Sequence, residues 1–200
     1  VMIGRSKAFW KKEYPQMQQA FEGVLDDVDF ETFYAGWLKT QASFTRTEAD
    51  PLTYPLHIII RYEIEKAIFN DNIDVADLPV LWNAKYKEYL DLDTPDDLTG
   101  ILQDIHWAGG SFGYFPSYAL GHLYAAQFQA TMAKSLDFEA IFQSGDYSPI
   151  FEWRKEHIWE YGGAVDPQVI LKQATGESLN PQYWLDLQTK QYLEAYGIDD

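Results

Sequence analysis

Prolines that follow a hydrogen-bond acceptor recur along the whole chain, and they constrain the fold more than any other feature. The pairs are Asp50-Pro51, Thr94-Pro95, Ser148-Pro149, Asp166-Pro167 and Asn180-Pro181. An acceptor side chain before a proline is typical of a helix N-cap followed by the first helical residue, because proline fixes φ and has no N–H to leave unpaired. Each pair therefore predicts the start of a helix.

Between these pairs the apolar residues recur at intervals of three or four, which is the spacing of a helix face. No segment alternates for long with β-branched residues, so strand signals are almost absent. These patterns predict an all-α fold of eight to ten helices in one domain over residues 1–200. The segments that carry them read FETFYAGWLKT, PLHIIIRYEIEKAIFN, LPVLWNAKYKEYL, FPSYALGHLYAAQFQATMAKSL, PIFEWRKEHIWEYG and PQYWLDLQTKQYLEAYG.

Charge and composition exclude several classes of function. The net charge of −16 repels phosphate backbones, which disfavours a nucleic-acid partner. The chain has no cysteine, so disulfides, thiolate zinc sites and a cysteine nucleophile are excluded. The longest apolar runs are far too short to span a membrane, and the first residues lack a signal-peptide pattern. We expect a soluble, cytoplasmic protein without a membrane partner.

The four histidines do not form a recognisable metal motif. No two have the spacing of HExxH, which would place both imidazoles on one helix face. His157 and Glu160 are one turn apart, yet their segment fits the solvated face of an amphipathic helix. His57 lies between apolar neighbours and is interpreted as a hydrogen-bonded core residue. We predict no metal site from these residues, with a site built from His106, His122 and a carboxylate as the remaining alternative.

Arginine is scarce, which makes its positions informative. A guanidinium can bind a carboxylate through two parallel hydrogen bonds. Arg46 precedes a predicted helix start and is a candidate ligand-facing residue. Arg61 has Glu65 four residues later, which predicts an ordinary ion pair, on the surface or between helices, and a structural role for Arg61.

The stretch GILQDIHWAGGSFGYFPSYALG, residues 100–121, combines polar and aromatic residues with glycines. A helix that starts at Pro116 would place Tyr118 in its first turn and His122 one turn later on the same face. A phenol or imidazole held at such a corner can donate a hydrogen bond to a developing oxyanion. The stretch is therefore either the wall of an active site or a tight turn whose aromatic rings simply pack.

Two segments carry a resemblance to a known family. TRTEAD, residues 45–50, is similar to the I-[RT]-x-x-A-D motif of the carboxypeptidase Taq family of zinc metallocarboxypeptidases, with Thr45 where the family favours Ile. GILQDIHW, residues 100–107, matches that family's G-x-x-Q-D-x-H-W motif at every fixed position. The resemblance extends over nearly the whole chain. It implies an all-helical, two-lobed body with a deep substrate cleft, of which this chain forms one side, and a homodimer.

The family's metal ligands are missing from this sequence. The resemblance implies zinc or a similar divalent metal in the full-length enzyme, held by HExxH and by the glutamate of H-E-S-x-Q, and neither motif is present. We expect the chain to begin shortly after the last zinc ligand and to lack a metal of its own. Its expected partner is then a missing N-terminal catalytic half, and the isolated chain is expected to be inactive.

The resemblance also implies roles for the catalytic residues. His106 and one of Tyr114 or Tyr118 would hydrogen-bond the tetrahedral intermediate or the peptide backbone. Arg46 would help to recognise the terminal carboxylate of a peptide substrate.

The remaining predicted members of the substrate site are Gln103 and Asp104, which are expected to orient His106. The alternative function is a non-catalytic helical module that descends from a peptidase and binds peptides or proteins in its cleft.

Overall fold

The computed structural model describes residues 3–198. Over this range the regular structure is nine α-helices and three short 3-10 turns, without a β-strand, so the predicted all-α class with eight to ten helices is confirmed. No helix in the described range is both long and apolar enough to cross a bilayer. The helices are α1 Lys7–Ala20, α2 Phe30–Trp37, α3 Tyr54–Asn70, α4 Leu78–Leu90, α5 Pro116–Met132, α6 Phe138–Ser144, α7 Ser148–His157, α8 Pro167–Thr175 and α9 Gln182–Tyr196.

The internal contacts divide the chain into two compact units, residues 1–38 with 122–200 and residues 39–121. We call the first the terminal unit and the second the central unit. The prediction that residues 1–200 form one domain stays a prediction.

The terminal unit contains α1, α2, α6 to α9 and the end of α5. Its core joins α1 to the end of α5, α6 and α7. Many of its aromatic residues pack between α1 and α2, where the Trp10 ring lies 4.6 Å from that of Trp37 and Tyr14 stacks on Phe33 at 4.4 Å. The buried members of the core are Ala8, Met132, Ile141, Phe142 and Ile150.

The central unit contains α3, α4, the start of α5 and 3-10 turns at Arg46–Glu48 and Val75–Asp77. The helices α3 and α4 pack on each other and form its core. Trp82 of this core is stacked on Tyr86 with ring centroids 4.8 Å apart. The buried members are Ile60, Ile64, Leu78, Trp82, Tyr86 and Leu90.

The proline pairs mark helix starts at four of the five positions, with small shifts. Asp166 caps α8 by accepting a hydrogen bond from Gln168 N, and Pro167 is the first helical residue, as predicted. Ser148-Pro149 opens α7 in its first two positions. Asn180-Pro181 lies directly before α9, while Asp50-Pro51 opens a single turn that leads into α3 at Tyr54. α5 starts at Pro116, as predicted.

The prediction of a helix start at Thr94-Pro95 was wrong, because the structure has a turn there. The Asp96 carboxylate accepts hydrogen bonds from Thr99 N at 2.8 Å and from Thr99 Oγ1 at 3.0 Å, which closes a local turn. An aspartate that satisfies nearby backbone groups in this way competes with helix formation. The turn ends at Gly100, where only glycine fits, because a β-carbon there would lie 2.8 Å from the Asp96 carbonyl oxygen.

Candidate functional site

All six predicted site residues lie in the central unit, in three stretches of chain. Arg46 is in the 3-10 turn Arg46–Glu48, and Tyr118 is in the first turn of α5. The other four lie in the irregular segment between α4 and α5. Residues that are far apart in the sequence therefore meet around this segment. The four are Gln103, Asp104, His106 and Tyr114.

Arg46 is buried and bonded to Asp104. Its side chain donates from Nε to Asp104 Oδ1 at 3.1 Å and from Nη2 to the same oxygen at 2.7 Å. Its Nη1 donates to Tyr54 Oη at 3.0 Å. With 7% of its surface exposed, the residue is a fixed part of the central unit. The predicted role of Arg46 toward a substrate carboxylate stays a prediction.

Arg61 binds the same carboxylate from the other side. Its Nε donates to Asp104 Oδ2 at 2.7 Å, and its Nη1 donates to the carbonyl oxygen of His57 at 2.9 Å. The predicted ion pair between Arg61 and Glu65 was wrong. Both side chains are on the buried face of α3, where Glu65 accepts from Trp107 Nε1 at 2.7 Å and from Gly113 N at 3.1 Å instead.

The two guanidiniums determine the charge of this cluster. Burial opposes ionisation of Asp104, but the hydrogen bonds and charges of Arg46 and Arg61 outweigh burial and hold its pKa below the usual 3.8. Burial likewise disfavours the charged form of Arg46, yet Asp104 keeps its pKa raised. Two positive groups share one negative group. The side chains of Arg46, Arg61 and Asp104 together therefore carry a charge of +1, in a chain whose total charge is −16.

Gln103 joins two segments of backbone. Its Oε1 accepts from Arg46 N at 2.9 Å, while its Nε2 donates to the carbonyl oxygens of Phe44 at 3.0 Å and Thr99 at 2.8 Å. All of these bonds are to main-chain atoms. Gln103 thus sets the position of the 3-10 turn that carries Arg46, and its amide is used for that purpose.

His106 is oriented by aromatic residues. Its Nε2 lies 3.0 Å from Tyr118 Oη, and its ring lies 4.4 Å from that of Phe115. Its Nδ1 lies 3.9 Å from Asp104 Oδ1, which is too long for a hydrogen bond. The structure therefore places Tyr118 and Phe115, rather than Gln103 and Asp104, in direct contact with the imidazole.

Tyr118 also lies against Arg46, and Tyr114 packs against Tyr118 and His106. The Arg46 guanidinium carbon lies 4.9 Å from the Tyr118 ring centroid, within the range of a cation–π contact. The Tyr114 ring lies 5.3 Å from that of Tyr118 and 5.8 Å from that of His106, and half of Tyr114 is exposed. Tyr118 thus connects the buried Arg46 to the imidazole of His106 and to the half-exposed ring of Tyr114.

Sequence reasoning missed Tyr54 and Tyr86, which support this site, and gave Glu65 the wrong partner. Tyr86 Oη donates to the carbonyl oxygen of Phe44 at 3.1 Å and lies 3.0 Å from His57 Nδ1. Tyr54 and Glu65 bond to Arg46 and Trp107 as described above. The only available signal was their place on the apolar faces of α3 and α4, which gives no partner.

His57 is the buried core histidine that the sequence predicted. It has no exposed surface, and burial, with the charges of Arg61 and Arg46, lowers its pKa to about 4. His157 also has a structural contact, because its Nδ1 lies 2.9 Å from the carbonyl oxygen of Trp153 one turn earlier. Both imidazoles therefore have a structural partner at Nδ1, Tyr86 of α4 for His57 and the backbone of its own helix for His157.

The described residues do not fit a metal ion. Residues 3–198 contain no group of three His, Asp or Glu side chains that could hold one. The buried carboxylates of the site are already engaged, since Asp104 binds two guanidiniums and Glu65 binds two N–H groups. No step of chemistry is therefore assigned to a metal held by this chain.

A family profile and the sequences of known proteins place the chain in the same family. Residues 1–192 match the profile described as carboxypeptidase Taq (M32) metallopeptidase. The chain is 48% identical over 195 residues to carboxypeptidase 1 of Bacillus subtilis, covering 97% of this chain and 39% of that protein. It is 39% identical over 197 residues to thermostable carboxypeptidase 1 of Thermus thermophilus, covering 98% and 38%.

A solved structure of the same family has the same fold as this chain. The crystal structure of M32 carboxypeptidase from Deinococcus radiodurans superimposes with a TM-score of 0.93 at 35% identity, covering 98% of this chain and 40% of that one. The chain thus spans well under half the length of the relatives it matches, while the match covers nearly all of this chain. The resemblance found in the two motifs extends through helices, turns and loops alike, so the chain belongs to the carboxypeptidase Taq (M32) family of metallopeptidases.

Proposed function

We propose that this chain supplies the C-terminal, substrate-binding part of a metallocarboxypeptidase that removes C-terminal residues from peptides. Family membership supports the reaction class, since the relatives are named carboxypeptidases. The observation that carries the proposal is the pairing of His106 with Tyr118, whose ring lies 4.9 Å from the guanidinium carbon of Arg46. That arrangement combines proton donors for a reacting carbonyl with a cationic group for a carboxylate.

The residues have separate roles in this proposal. His106 and either Tyr114 or Tyr118 donate to the peptide carbonyl oxygen as it gains negative charge. Arg46 attracts the terminal carboxylate. A guanidinium has five N–H groups, and Asp104 and Tyr54 take one from each of the three Arg46 nitrogens, which leaves two for a ligand.

The isolated chain is proposed to be inactive toward peptides. A metal ion in such an enzyme activates water and polarises the scissile carbonyl. Residues 3–198 offer no three-ligand group for that ion, which supports the proposal. The remaining partners are also proposals: the N-terminal half of the same enzyme, a second copy in a homodimer and the C-terminus of a peptide.

The test compares two substrates and two protein samples. A blocked dipeptide with a free C-terminal carboxylate and the same dipeptide as a C-terminal amide are given to this chain with zinc or cobalt, alone and with the N-terminal half supplied. We expect no hydrolysis by the chain alone, and hydrolysis of only the free acid by the combined protein. In the combined protein, Arg46→Lys should reduce the preference for the free acid, because an ammonium lacks the two-pronged geometry of a guanidinium.

Each other result has a defined meaning. Hydrolysis by the chain alone, together with bound metal in elemental analysis, would contradict the proposed inactivity. Peptide binding without hydrolysis in the combined protein would favour the non-catalytic interaction module. Equal hydrolysis of the acid and the amide would contradict recognition of the carboxylate.

A further inference from the structure

Glu65 is a buried carboxylate that the proposed chemistry does not use. It lies on α3 with 6% of its surface exposed. Its Oε1 accepts from Trp107 Nε1 at 2.7 Å, and its Oε2 accepts from Gly113 N at 3.1 Å. Arg61, one turn earlier on the same helix, is bonded to Asp104. Each oxygen of Glu65 therefore holds one N–H group of the irregular segment before α5.

The two N–H groups lie at opposite ends of one tight loop, residues 107–113. Inside it, Gly110 N donates to the Trp107 carbonyl oxygen at 3.0 Å, and Ser111 N donates to that of His106 at 2.8 Å. Gly113 has φ of +73°, a conformation that residues with a β-carbon rarely adopt. The loop thus folds back on itself, and Glu65 joins its two ends.

The loop ends are next to the proposed catalytic residues. His106 precedes Trp107, and Tyr114 follows Gly113. The Trp107 ring lies 5.8 Å from that of Phe115, which in turn packs 4.4 Å from His106. A change in the loop closure would therefore shift the imidazole relative to the Tyr118 hydroxyl.

We infer that Glu65 is a positioning residue, whose two hydrogen bonds hold the 107–113 loop closed and thereby keep His106 against Tyr118. Glu65 acts through Trp107 and Gly113, since those are the groups that its oxygens bind. The catalytic consequence rests on the proposed function, whereas the structural tether does not.

The side chain at position 65 has to accept two hydrogen bonds, one from Trp107 and one from Gly113. A carboxylate has two acceptor oxygens and no donor, which matches two N–H groups. A glutamine of the same size would accept one hydrogen bond and turn its NH₂ toward the other donor, so that N–H would lose its acceptor. Glu65→Gln is therefore a minimal change that opens one end of the tether without removing side-chain volume.

Glu63→Gln is the matched control on the same helix. Glu63 also accepts from an aromatic side chain, Tyr89 Oη at 2.7 Å, and pairs with Lys85 at 2.7 Å, but it does not touch the 107–113 loop. Circular dichroism of both variants checks that the helical fold is retained. If Glu65→Gln fails to fold, Trp107→Phe replaces it, because that change removes only the indole donor and part of the ring.

The first readout is nuclear magnetic resonance of the full chain. In Glu65→Gln we expect hydrogen exchange at the Gly113 amide or at the Trp107 indole N–H to be about ten-fold faster, the factor for losing a hydrogen bond of ordinary strength. The His106 ring signals should shift as well, and Glu63→Gln should change neither. Unchanged exchange at both the Gly113 amide and the Trp107 indole N–H, or unchanged His106 signals, would overturn the inference.

The second readout is the kinetics of the complete enzyme. A positioning role predicts that Glu65→Gln lowers kcat by roughly ten-fold to a hundred-fold while KM changes little. Unchanged kcat together with shifted His106 signals would contradict the catalytic consequence. If the wild-type enzyme hydrolyses no peptide, the proposed function fails, while the resonance data still decide whether Glu65 holds the loop.

Discussion

Arg61 and Asp104 are 43 residues apart and form a buried ion pair, with Arg61 Nη2 2.6 Å from Asp104 Oδ2. The arginine side chain has no exposed surface, and the aspartate is 11% exposed. Because Arg46 occupies the other carboxylate oxygen, Asp104 is the shared counter-ion of two arginines. Asp104 thus attaches the irregular segment before α5 both to α3 and to the first 3-10 turn, in addition to the hydrogen bonds of Glu65 and Gln103.

Asp104→Asn should destabilise the chain strongly. Breaking a buried ion pair from one side leaves an uncompensated charge, and the expected loss in the free energy of unfolding is about 3–5 kcal/mol. Asp93→Asn is the control, because Asp93 pairs with Lys87 while its side chain is 86% exposed. Urea denaturation followed by circular dichroism measures both, and equal stabilities of the two variants would contradict the central role of Asp104.

The stability of the chain should decrease as the pH falls below about 6.5. Burial, followed by the charges of Arg61 and Arg46, lowers the pKa of His57 from 6.5 to about 4. Between about pH 6.5 and pH 4, His57 binds a proton in the unfolded chain but not in the folded chain. The stability that neutral His57 contributes to the folded state is therefore lost as the pH falls toward 4. The expected slope from this residue is at most about 1.4 kcal/mol per pH unit.

The measurement is the free energy of unfolding as a function of pH for the wild type and for His57→Gln. The variant lacks this titration, so the difference in stability between the two proteins should narrow as the pH decreases. A constant difference over the window would show that His57 does not titrate in this way. Comparison with the variant also removes the parallel effect of His122, whose pKa is lowered by burial.

Tyr86→Phe should cost about 1–3 kcal/mol of stability, because it leaves buried polar groups without their hydroxyl partner. Tyr86 Oη donates to the Phe44 carbonyl oxygen and lies 3.0 Å from His57 Nδ1. Tyr62→Phe is the control, since Tyr62 is 47% exposed on α3. Thermal unfolding should distinguish the two, and a loss as large in Tyr62→Phe would argue against the buried network as the cause.

Tyr118→Phe and Tyr114→Phe decide which phenol acts on the substrate. Loss of a hydrogen bond made to the developing oxyanion lowers kcat by about a hundred-fold with little change in KM. We expect this of Tyr118→Phe in the complete enzyme, because Tyr118 is the tyrosine that is paired with His106. The same loss in Tyr114→Phe alone would assign the role to Tyr114, and no loss in either would contradict it for both.

Local signals in the sequence were sufficient for most of the helices. The segment LPVLWNAKYKEYL coincides with α4, and Pro116 and Pro167 open α5 and α8. These features depend on neighbouring residues, since caps, proline and apolar spacing act within a turn or two. The failure at Thr94-Pro95 was local too, because Asp96 bonds to Thr99 and closes a turn there.

The partners of the buried polar groups were decided only by the tertiary structure. Helical spacing allows Arg61 to pair with Glu65, but a carboxylate 43 residues away takes the guanidinium, and Glu65 turns to Trp107 and Gly113. A buried polar group binds whichever partner the packing brings within about 3 Å, and sequence separation has no influence on that choice. The sequence by itself therefore determined the helices, the family and the candidate residues. Packing decided which of those residues touch.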